Sequence, residues 1–229
     1  MDHVDCLIVD DEEALSESTV TYFTMFDVST AWVATGAECF AFLATHHVSL
    51  ILLDVNLDGE SGFEVCKRLR TETDIPILFI SARTSTDDVL LALNIGGDDY
   101  IAKPYLLSVL LAKVKAVLKR YGNVGPSEPA EHEVRFGDHR VDLAARAVFG
   151  PDGEVVLTAM EYRLLVYLLR HRGRTVPKAE LFTQVWGSTH TTDSTLNVHV
   201  ARLRAKLGDV DQRWITTVWG TGYVFENEG

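Results

Sequence analysis

The stretch SLILLDVNLDG, residues 49–59, decides the fold of the first part of the chain. Residues 50–53 are all apolar, the carboxylate of Asp54 follows them directly, and turn-forming residues come next. A short apolar run that ends at turn residues is typical of a strand buried on both faces of a parallel sheet. The pattern predicts that Asp54 lies at the carboxyl end of such a strand, where ligands bind in open α/β sheets.

Similar apolar segments alternate with helical stretches over the same part of the chain. The five predicted strands are CLIV (6–9), DVSTAW (27–32), LILL (50–53), ILFI (77–80) and DYIA (99–102). This alternation predicts an α/β doubly wound five-stranded parallel sheet. The segment GNVGPSEPAEH (122–132) has the composition of a linker. We therefore expect one domain over residues 1–121 and a second over residues 133–229.

Charge is distributed unevenly along the chain, whose formal net charge is −12. Residues 1–121 carry 19 acidic and 9 basic side chains, whereas residues 133–229 carry 12 of each. Within the second part, residues 163–213 have nine Lys or Arg against four acidic residues, which suits contact with a polyanion. Because no apolar run is long enough to cross a membrane and the N-terminus is acidic, we expect a cytoplasmic protein without membrane contact.

Polar residues follow four of the predicted strands, at what should be one edge of the sheet. They are Asp10, Asp11, Glu12, Asp54, Asn56, Ser81 and Lys103. Singly, each is explained as a helix cap, a turn residue or a solvated charge. Together, crowded carboxylates repel unless a cation neutralises them, and hard oxygen ligands suit Mg²⁺. With a lysine and a serine beside them, they predict an aspartyl-phosphate site whose nucleophile is Asp54.

Four ordered motifs resemble the receiver domain of bacterial response regulators, which has a flavodoxin-like fold. The motifs are VDDE (9–12), Asp54 after LILL, Ser81 followed by Ala82, and GGDDYIAKPY (96–105). The resemblance implies that Asp54 accepts phosphate from a partner histidine kinase.

The resemblance also implies a role for each of the other residues at this edge. Mg²⁺ would be bound by the carboxylates of Asp11 and Asp54, the main-chain carbonyl of Asn56 and, through water, Asp10. Lys103 and Ser81 would contact the phosphoryl group. Tyr100 would turn inward as a switch when Ser81 moves, although Tyr100 is also explained as a tyrosine at the rim of the edge strand.

The second domain has a different pattern of predicted elements. EVRFGDHRVD and RAVFGPDGEVV predict a small antiparallel sheet. LTAMEYRLLVYLLRHRGR predicts a core helix, because Thr158 and Glu161 form a capping-box pattern. A second helix is expected over residues 178–186 and a third over residues 194–207. The closing segment RWITTVWGTGYVF predicts a β-hairpin, so the order of elements suits a small α+β winged-helix domain.

The third helix, STLNVHVARLRAKL, carries the prediction of DNA binding. Its expected buried residues, which recur with helical spacing, are Leu196, Val200, Leu203 and Leu207. The side chains expected to project outward are Thr195, Asn197, Val198, Arg202, Arg204 and Lys206. Basic and amide groups on an exposed helix suit the major groove. An amphipathic helix with ordinary surface arginines has the same pattern.

The order of these elements resembles the effector domain of response regulators of the OmpR/PhoB type, through LTAMEYRLL, LFTQVWG, NVHVARLRAKL and TVWGTGYVF. The residues that the resemblance places near double-stranded DNA are Thr195, Asn197, His199, Arg202, Arg204, Thr217, Trp219 and Tyr223. His199 is equally explained by packing or by phosphate contact. Ser194, Ala201 and Trp219 stand where many relatives carry arginine, which implies low phosphate affinity. RNA polymerase is a further candidate partner.

We expect a homodimer through the fourth and fifth helices of the receiver, although several residues of this face differ from those usual in the family. Residues that stand where the family usually has charges are Val89, Asn94, Ser108 and Val109. Charged residues that remain at this face are Asp98, Asp99 and Lys113. We therefore expect apolar contacts, rather than a lattice of ion pairs, to hold the dimer.

The sequence predicts a phosphorylation-controlled, sequence-specific DNA-binding regulator of a two-component pathway, with no catalysis beyond phosphorylation and dephosphorylation of Asp54. A haloacid-dehalogenase-like phosphohydrolase is one alternative, but that class needs a second Asp two residues after the nucleophile, where this chain has Asn56. A phosphorylation-independent regulator with an atypical receiver is the other. The altered dimer face favours it, whereas the complete set of phosphorylation residues argues against it.

Overall fold

The computed structural model describes residues 2–122, 133–187 and 192–226. They form two compact units, one within residues 1–123 and the other within residues 124–229. The linker predicted over residues 122–132 lies outside the described residues except for Gly122, which ends a helix. Within the described ranges, no helix is both long and apolar enough to span a membrane.

The first unit contains the five-stranded parallel sheet that the sequence predicts. Its strands are β1 (Cys6–Val9), β2 (Thr30–Val33), β3 (Ile51–Asp54), β4 (Ile77–Ser81) and β5 (Asp99–Ala102). They lie in the order β2-β1-β3-β4-β5, and each neighbouring pair is parallel. β2 begins later than predicted because Asp27, with a φ of 60°, belongs to the turn that precedes it.

Helices cover both faces of this sheet. They are α1 (Glu13–Thr24), α2 (Gly36–Leu43), α3 (Gly62–Glu72), α4 (Thr86–Asn94) and α5 (Leu107–Gly122). Alternate residues of β1 and β4 belong to two separate hydrophobic clusters, one on each face of the sheet. This double covering explains why the strands are uninterrupted apolar runs.

The second unit combines two small antiparallel sheets with helices. Its strands are β6 (Glu133–Phe136), β7 (His139–Asp142), β8 (Ala147–Gly150), β9 (Gly153–Glu154), β10 (Val176–Pro177), β11 (Ile215–Val218) and β12 (Gly222–Phe225). Its helices are α6 (Ala159–Arg170), α7 (Lys178–Leu181) and α8 (Asp193–Leu207). Strands β6 to β9 form one sheet, and the order β10-β12-β11 forms the other.

The first helix of this unit begins where the sequence predicts. Thr158 is the N-cap of α6, and in a capping box its side chain accepts from the main-chain N–H of Glu161 while the Glu161 side chain accepts from the main-chain N–H of Thr158. The second predicted helix, over residues 178–186, is α7 followed by a π-helical turn, Phe182–Trp186. That turn ends at Gly187, whose φ of 73° favours glycine.

Helix α8 buries a wider face than its sequence suggests. The four predicted core residues are buried, but Thr195 and Val198 are also buried, with 2% and 9% exposure. The prediction that these two side chains project outward is wrong. The reason is that α8 packs against α6 on one side, while Trp186 meets the ring of His199 edge-on, with 5.2 Å between ring centroids.

Candidate functional site

The carboxyl edge of the first sheet gathers the predicted acidic residues around Lys103. Asp10 and Asp54 are 1% and 4% exposed. Lys103 Nζ donates hydrogen bonds to Asp54 Oδ2 at 2.6 Å, to Asp10 Oδ2 at 2.9 Å and to Glu12 Oε1 at 2.7 Å. One ammonium group therefore neutralises part of the charge of three carboxylates.

Burial and hydrogen bonding have opposite effects on the pKa values of the ionisable groups at this edge. Burial raises the pKa of Asp10 above its usual value, and the hydrogen bond from Lys103 opposes that shift only in part. Burial alone would lower the pKa of Lys103, but hydrogen bonds to Asp54, Glu12 and Asp10 outweigh it and raise that pKa. Lys103 is therefore a permanent cation at this edge.

The acidic cluster differs in one member from the predicted ligand set. Carboxylate oxygens of Asp10, Glu12 and Asp54 lie within 4.8 Å of one another. Asp11, which the sequence analysis named as a ligand, is exposed and lies outside this cluster. Glu12 replaces it because its side chain reaches Lys103. The position of Glu12 after the first strand was visible in the sequence, but its pairing with a lysine 91 residues away was not.

A second network connects Asp54 to Ser81 and Tyr100. The main-chain N–H of Asn56 donates to Asp54 Oδ1 at 2.9 Å, and Arg83 Nε donates to the side-chain oxygen of Asn56 at 3.0 Å. The main-chain N–H of Arg83 donates to Ser81 Oγ at 3.1 Å, and the Tyr100 hydroxyl donates to the carbonyl of Arg83 at 2.6 Å. Arg83 was not among the predicted site residues. Through these hydrogen bonds it connects Asp54 to Ser81 and Tyr100.

The residues predicted for a dimer face separate into two groups. Asp98 is buried, and it accepts hydrogen bonds from Arg70 Nη2 at 2.7 Å and from the main-chain N–H of Ile77. Asp99 is also buried and pairs with Lys113 at 2.6 Å. The expectation that Asp98 and Asp99 face a partner is wrong, because both carboxylates are used within the unit.

The other four dimer-face residues lie at the surface or close to it. Asn94 and Ser108 are exposed, Val109 is 40% exposed, and Val89 is half-buried. Two leucines on the same helices or at their start, Leu91 and Leu106, are 47% and 71% exposed. The surface of α4 and the start of α5 therefore offers apolar groups, here called the α4–α5 patch: Val89, Leu91, Leu106 and Val109.

The basic residues of α8 bond within the second unit. Arg202 and Lys206 both pair with the buried carboxylate of Glu161, at 2.8 and 2.6 Å. Arg204 donates from Nε and Nη2 to the carbonyl of Ile215, and from Nη2 to Thr217 Oγ1 at 2.9 Å. The prediction that Arg202 and Arg204 project outward is wrong, because both are half-buried by these contacts, whereas Lys206 is exposed as predicted although it pairs with Glu161.

The remaining predicted DNA residues lie at different depths. Thr195 and His199 are buried, and His199 Nδ1 hydrogen-bonds the carbonyl of Thr195, so packing explains both. Tyr223 is 4% exposed and donates through its hydroxyl to the side-chain oxygen of Asn197 at 2.8 Å. Thr217 is half-buried, and the two fully accessible members are Asn197 and Trp219.

Comparisons with known proteins identify the class to which this architecture belongs. The family model "Response regulator receiver domain" matches residues 6–115, and "Transcriptional regulatory protein, C terminal" matches residues 152–225. The chain therefore belongs to the two-component response regulators of the OmpR/PhoB type, with a receiver domain and a winged-helix DNA-binding domain.

Particular relatives cover almost the whole chain. It is 34% identical over 223 residues to the sensory transduction protein RegX3 of Mycobacterium tuberculosis, covering 96% of this chain and 98% of the relative. It is 36% identical over 220 residues to the DNA-binding response regulator MtrA of Mycolicibacterium smegmatis, covering 95% and 94%. A mutant of RitR, with a TM-score of 0.75 and 22% identity over all of both chains, shares the fold.

Proposed function

We propose that Asp54 accepts a phosphoryl group from a histidine kinase and that this modification controls binding of the second domain to specific DNA sequences. The observation that carries the proposal is the buried carboxylate of Asp54 with Lys103 Nζ at 2.6 Å. In the transfer, a carboxylate oxygen of Asp54 forms a bond to the phosphorus of a phosphohistidine. The P–N bond breaks at the same time, and the histidine nitrogen keeps the electron pair.

The side chains around Asp54 have suitable roles in this reaction. Lys103 is a cation that can hold a phosphoryl oxygen, and the Ser81 hydroxyl can hold another. Asn56 accepts a hydrogen bond from Arg83 and offers no carboxyl group as a general acid, which disfavours the haloacid-dehalogenase-like alternative. The family membership of both domains favours a regulator as well.

Two members of the acidic cluster, Asp10 and Asp54, supply hard carboxylate oxygens that lie close together and suit Mg²⁺, and Asp11 adds a third carboxylate next to Asp10 in the chain. Asp10, Asp11, Asp54 and the main-chain carbonyl of Asn56 would hold the ion. Bound there, Mg²⁺ would neutralise charge on the phosphoryl oxygens. Glu12 would serve as the counterion of Lys103, since it already accepts from the ammonium group.

Matched variants of the two neighbouring acids test this assignment. With acetyl phosphate as donor, Asp11→Asn should reduce phosphorylation to the level that chelation of Mg²⁺ gives in the wild type. Glu12→Gln should keep most of the Mg²⁺-dependent phosphorylation. The reverse ranking in intact-mass spectra would assign the metal ligand to Glu12.

Helix α8 and the hairpin of β11 and β12 would form the DNA interface. The exposed residues along α8 include Asp193, Asn197, Ala201 and Ala205, so this face has small side chains and permits close approach to bases. Asn197 is the amide among them, and an amide group suits the edge of adenine in the major groove. The Tyr223 hydroxyl donates a hydrogen bond to the side-chain oxygen of Asn197 and so orients this amide.

Selection of bound sequences from a random pool of double-stranded DNA tests this interface. We expect Asn197→Ala to relax the preference at one base pair, with a loss on the order of 1–3 kcal/mol for the selected sequence. Val156→Ala, an exposed change in the same unit but outside α8 and the hairpin, is the matched control. Unchanged preferences in Asn197→Ala would remove this residue from base recognition.

A further inference from the structure

The tip of the β11–β12 hairpin presents an exposed tryptophan. The strands pair as far as Val218 and Gly222, so the loop between them consists of Trp219, Gly220 and Thr221. Trp219 is 91% exposed, which makes it the most exposed large apolar side chain in the described part of the chain. An indole so far from any core makes no packing contribution to the domain that would explain its position.

The hairpin fixes the main chain that carries this side chain. Within the loop, the N–H of Thr221 donates to the carbonyl of Val218 at 3.0 Å, and Gly220 has a φ of 73° that favours glycine. At its base, a Cβ on Gly222 would lie 2.0 Å from the carbonyl oxygen of Val176, so the hairpin is packed closely on β10. The position of Trp219 is therefore set by the backbone.

Side-chain hydrogen bonds tie both strands of the same hairpin to helix α8. Arg204 Nη2 on α8 donates to Thr217 Oγ1 of β11, and the Tyr223 hydroxyl of β12 donates to Asn197 on α8. If α8 enters the major groove, the loop of residues 219–221 stays at a fixed distance from α8. The neighbouring groove contacted by a rigid hairpin is then the minor groove.

The hairpin has no charged side chain that could make an ionic contact. Residues 214–225 contain no Asp, Glu, Lys, Arg or His. The tip therefore has no side-chain cation for a phosphate, and the group that it offers is an apolar aromatic ring. Apolar wedges of this kind enter the minor groove between base pairs and unstack them, which depends on how easily the step is deformed.

We propose that Trp219 inserts its indole between two base pairs from the minor groove, and that this insertion selects sequences with an easily unstacked pyrimidine–purine step beside the site read by α8. The inference rests on the proposed DNA interface of α8. It adds a specificity determinant that acts through DNA deformability rather than through hydrogen bonds to base edges.

Selection from a random pool with the full-length chain tests the insertion. The wild type should enrich a pyrimidine–purine step at a constant distance from the bases read by α8. Trp219→Ala should lose that preference, keep the α8 bases and bind the wild-type sequence about 10-fold to 100-fold more weakly. Trp219→Phe should keep the preference in part, because phenylalanine is also an aromatic wedge. Since the side chain is exposed, these variants should fold normally.

A fluorescent base analogue, 2-aminopurine, placed at the enriched step gives a second readout. Its emission should rise when the wild type binds, because the base is unstacked, and should stay low with Trp219→Ala. Equal preference and equal emission for wild type and Trp219→Ala would overturn the insertion alone. A uniform loss of affinity over all steps would also overturn it, since that indicates contact with the sugar. A wild type that enriches no sequence would overturn the α8 interface as well.

Discussion

Lys103 determines the charge balance at the carboxyl edge of the receiver sheet. Its ammonium group contacts three carboxylates, two of which are almost fully buried. Buried carboxylates without a cation are costly, and removal of one partner from a buried ion pair is strongly destabilising. A bound Mg²⁺ would neutralise the same excess of negative charge as Lys103, so the affinity for Mg²⁺ should depend on this lysine.

The first prediction concerns replacement of this lysine. Lys103→Met should lower the free energy of unfolding by about 2–4 kcal/mol without Mg²⁺, because Asp10 and Asp54 are left unpaired. Added Mg²⁺ should restore more stability to this variant than to the wild type. Chemical denaturation with and without Mg²⁺ measures both effects.

Lys113→Met is the matched control, since Lys113 pairs only with Asp99 among the carboxylates of the described residues. Its stability should respond to Mg²⁺ as the wild type does. If Lys103→Met and Lys113→Met responded equally to Mg²⁺, the shared neutralisation at the receiver edge would be contradicted.

The roles of single residues were only partly predictable from the sequence. Asp10, Asp54, Ser81 and Lys103 each lie at or directly after the carboxyl end of a strand, and parallel strands must place such residues at one edge. The contacts of Arg83 could not be predicted from the sequence, because they depend on the path of the loop after β4. Asp98 was assigned to the surface because nothing local indicates that Arg70, 28 residues earlier, reaches its carboxylate.

At the scale of elements, the attachment of the hairpin to α8 organises the second unit. The guanidinium of Arg204 bridges α8 to β11 through three hydrogen bonds, and burial lowers its pKa. A guanidinium stays charged in proteins. The sequence predicted the apolar stripe of α8, because helical periodicity is local. It could not predict that Arg202, Arg204 and Lys206 bond inward, since their partners belong to α6 and β11.

The second prediction follows from this bridge. Arg204→Ala should destabilise the second unit by roughly 2 kcal/mol, because hydrogen bonds to a charged group are lost and the carbonyl of Ile215 loses its donor. It should also weaken DNA binding, since the hairpin is no longer fixed to α8. Denaturation followed by tryptophan fluorescence measures the first effect. Arg213→Ala, an exposed arginine in the same unit, should leave stability nearly unchanged, and an equal loss in both variants would contradict the bridge.

The third prediction concerns His139, which joins the two sheets of this unit. Its ring is 5% exposed, stacks on Phe136 and meets Trp214 edge-on. Burial lowers its pKa below the usual 6.5, and the charges of Asp138 and Asp209 oppose the shift only in part. The unfolded chain therefore binds more protons between the folded pKa and 6.5, so the contribution of His139 to stability is complete above pH 6.5 and is lost as the pH falls below it.

We expect the stability of His139→Phe to fall less than that of the wild type between about pH 7.5 and 5.5. Phenylalanine keeps the ring stacking and removes the titration. Thermal melts of both proteins at the two pH values measure the difference, with Trp214 as the local reporter. Parallel pH profiles for wild type and variant would show that His139 contributes nothing to the loss at low pH.

At the scale of the whole molecule, we expect the α4–α5 patch to determine how two chains associate. Leu106, Leu91 and Val109 are 71%, 47% and 40% exposed. Burial of about 400 Å² of apolar surface would supply on the order of 10 kcal/mol before the costs of association. Asp98, Asp99 and Lys113 form ion pairs within the receiver, which removes them from any salt-screened lattice between chains.

The fourth prediction is therefore a dimer that resists salt. Sedimentation of the full chain, with and without beryllofluoride, should show a dimer that persists from low to high salt, because apolar contacts are not screened. Val109→Glu should dissociate it. Met25→Glu, at a position 72% exposed on another surface of the receiver, should not. A monomer under every condition, or a dimer that dissociates at high salt, would contradict this model.

The division into two domains was visible in the sequence because composition and periodicity change on either side of the glycine- and proline-containing segment. The parallel sheet of the first unit followed from the alternation of strands and helices. The residues available for association of two chains could not be predicted from the sequence. The exposure of Leu106 and the burial of Asp98 depend on contacts between elements that are distant in sequence.

The central claim is that Asp54 is the phosphate acceptor of this regulator. Intact-mass spectrometry of the full chain, after incubation with acetyl phosphate and Mg²⁺, tests it most directly. The wild type should gain one phosphoryl group that is stable in acid and removed by hydroxylamine, as expected of an acyl phosphate, and Asp54→Asn should gain none. Phosphorylation of Asp54→Asn at the wild-type level would contradict the claim.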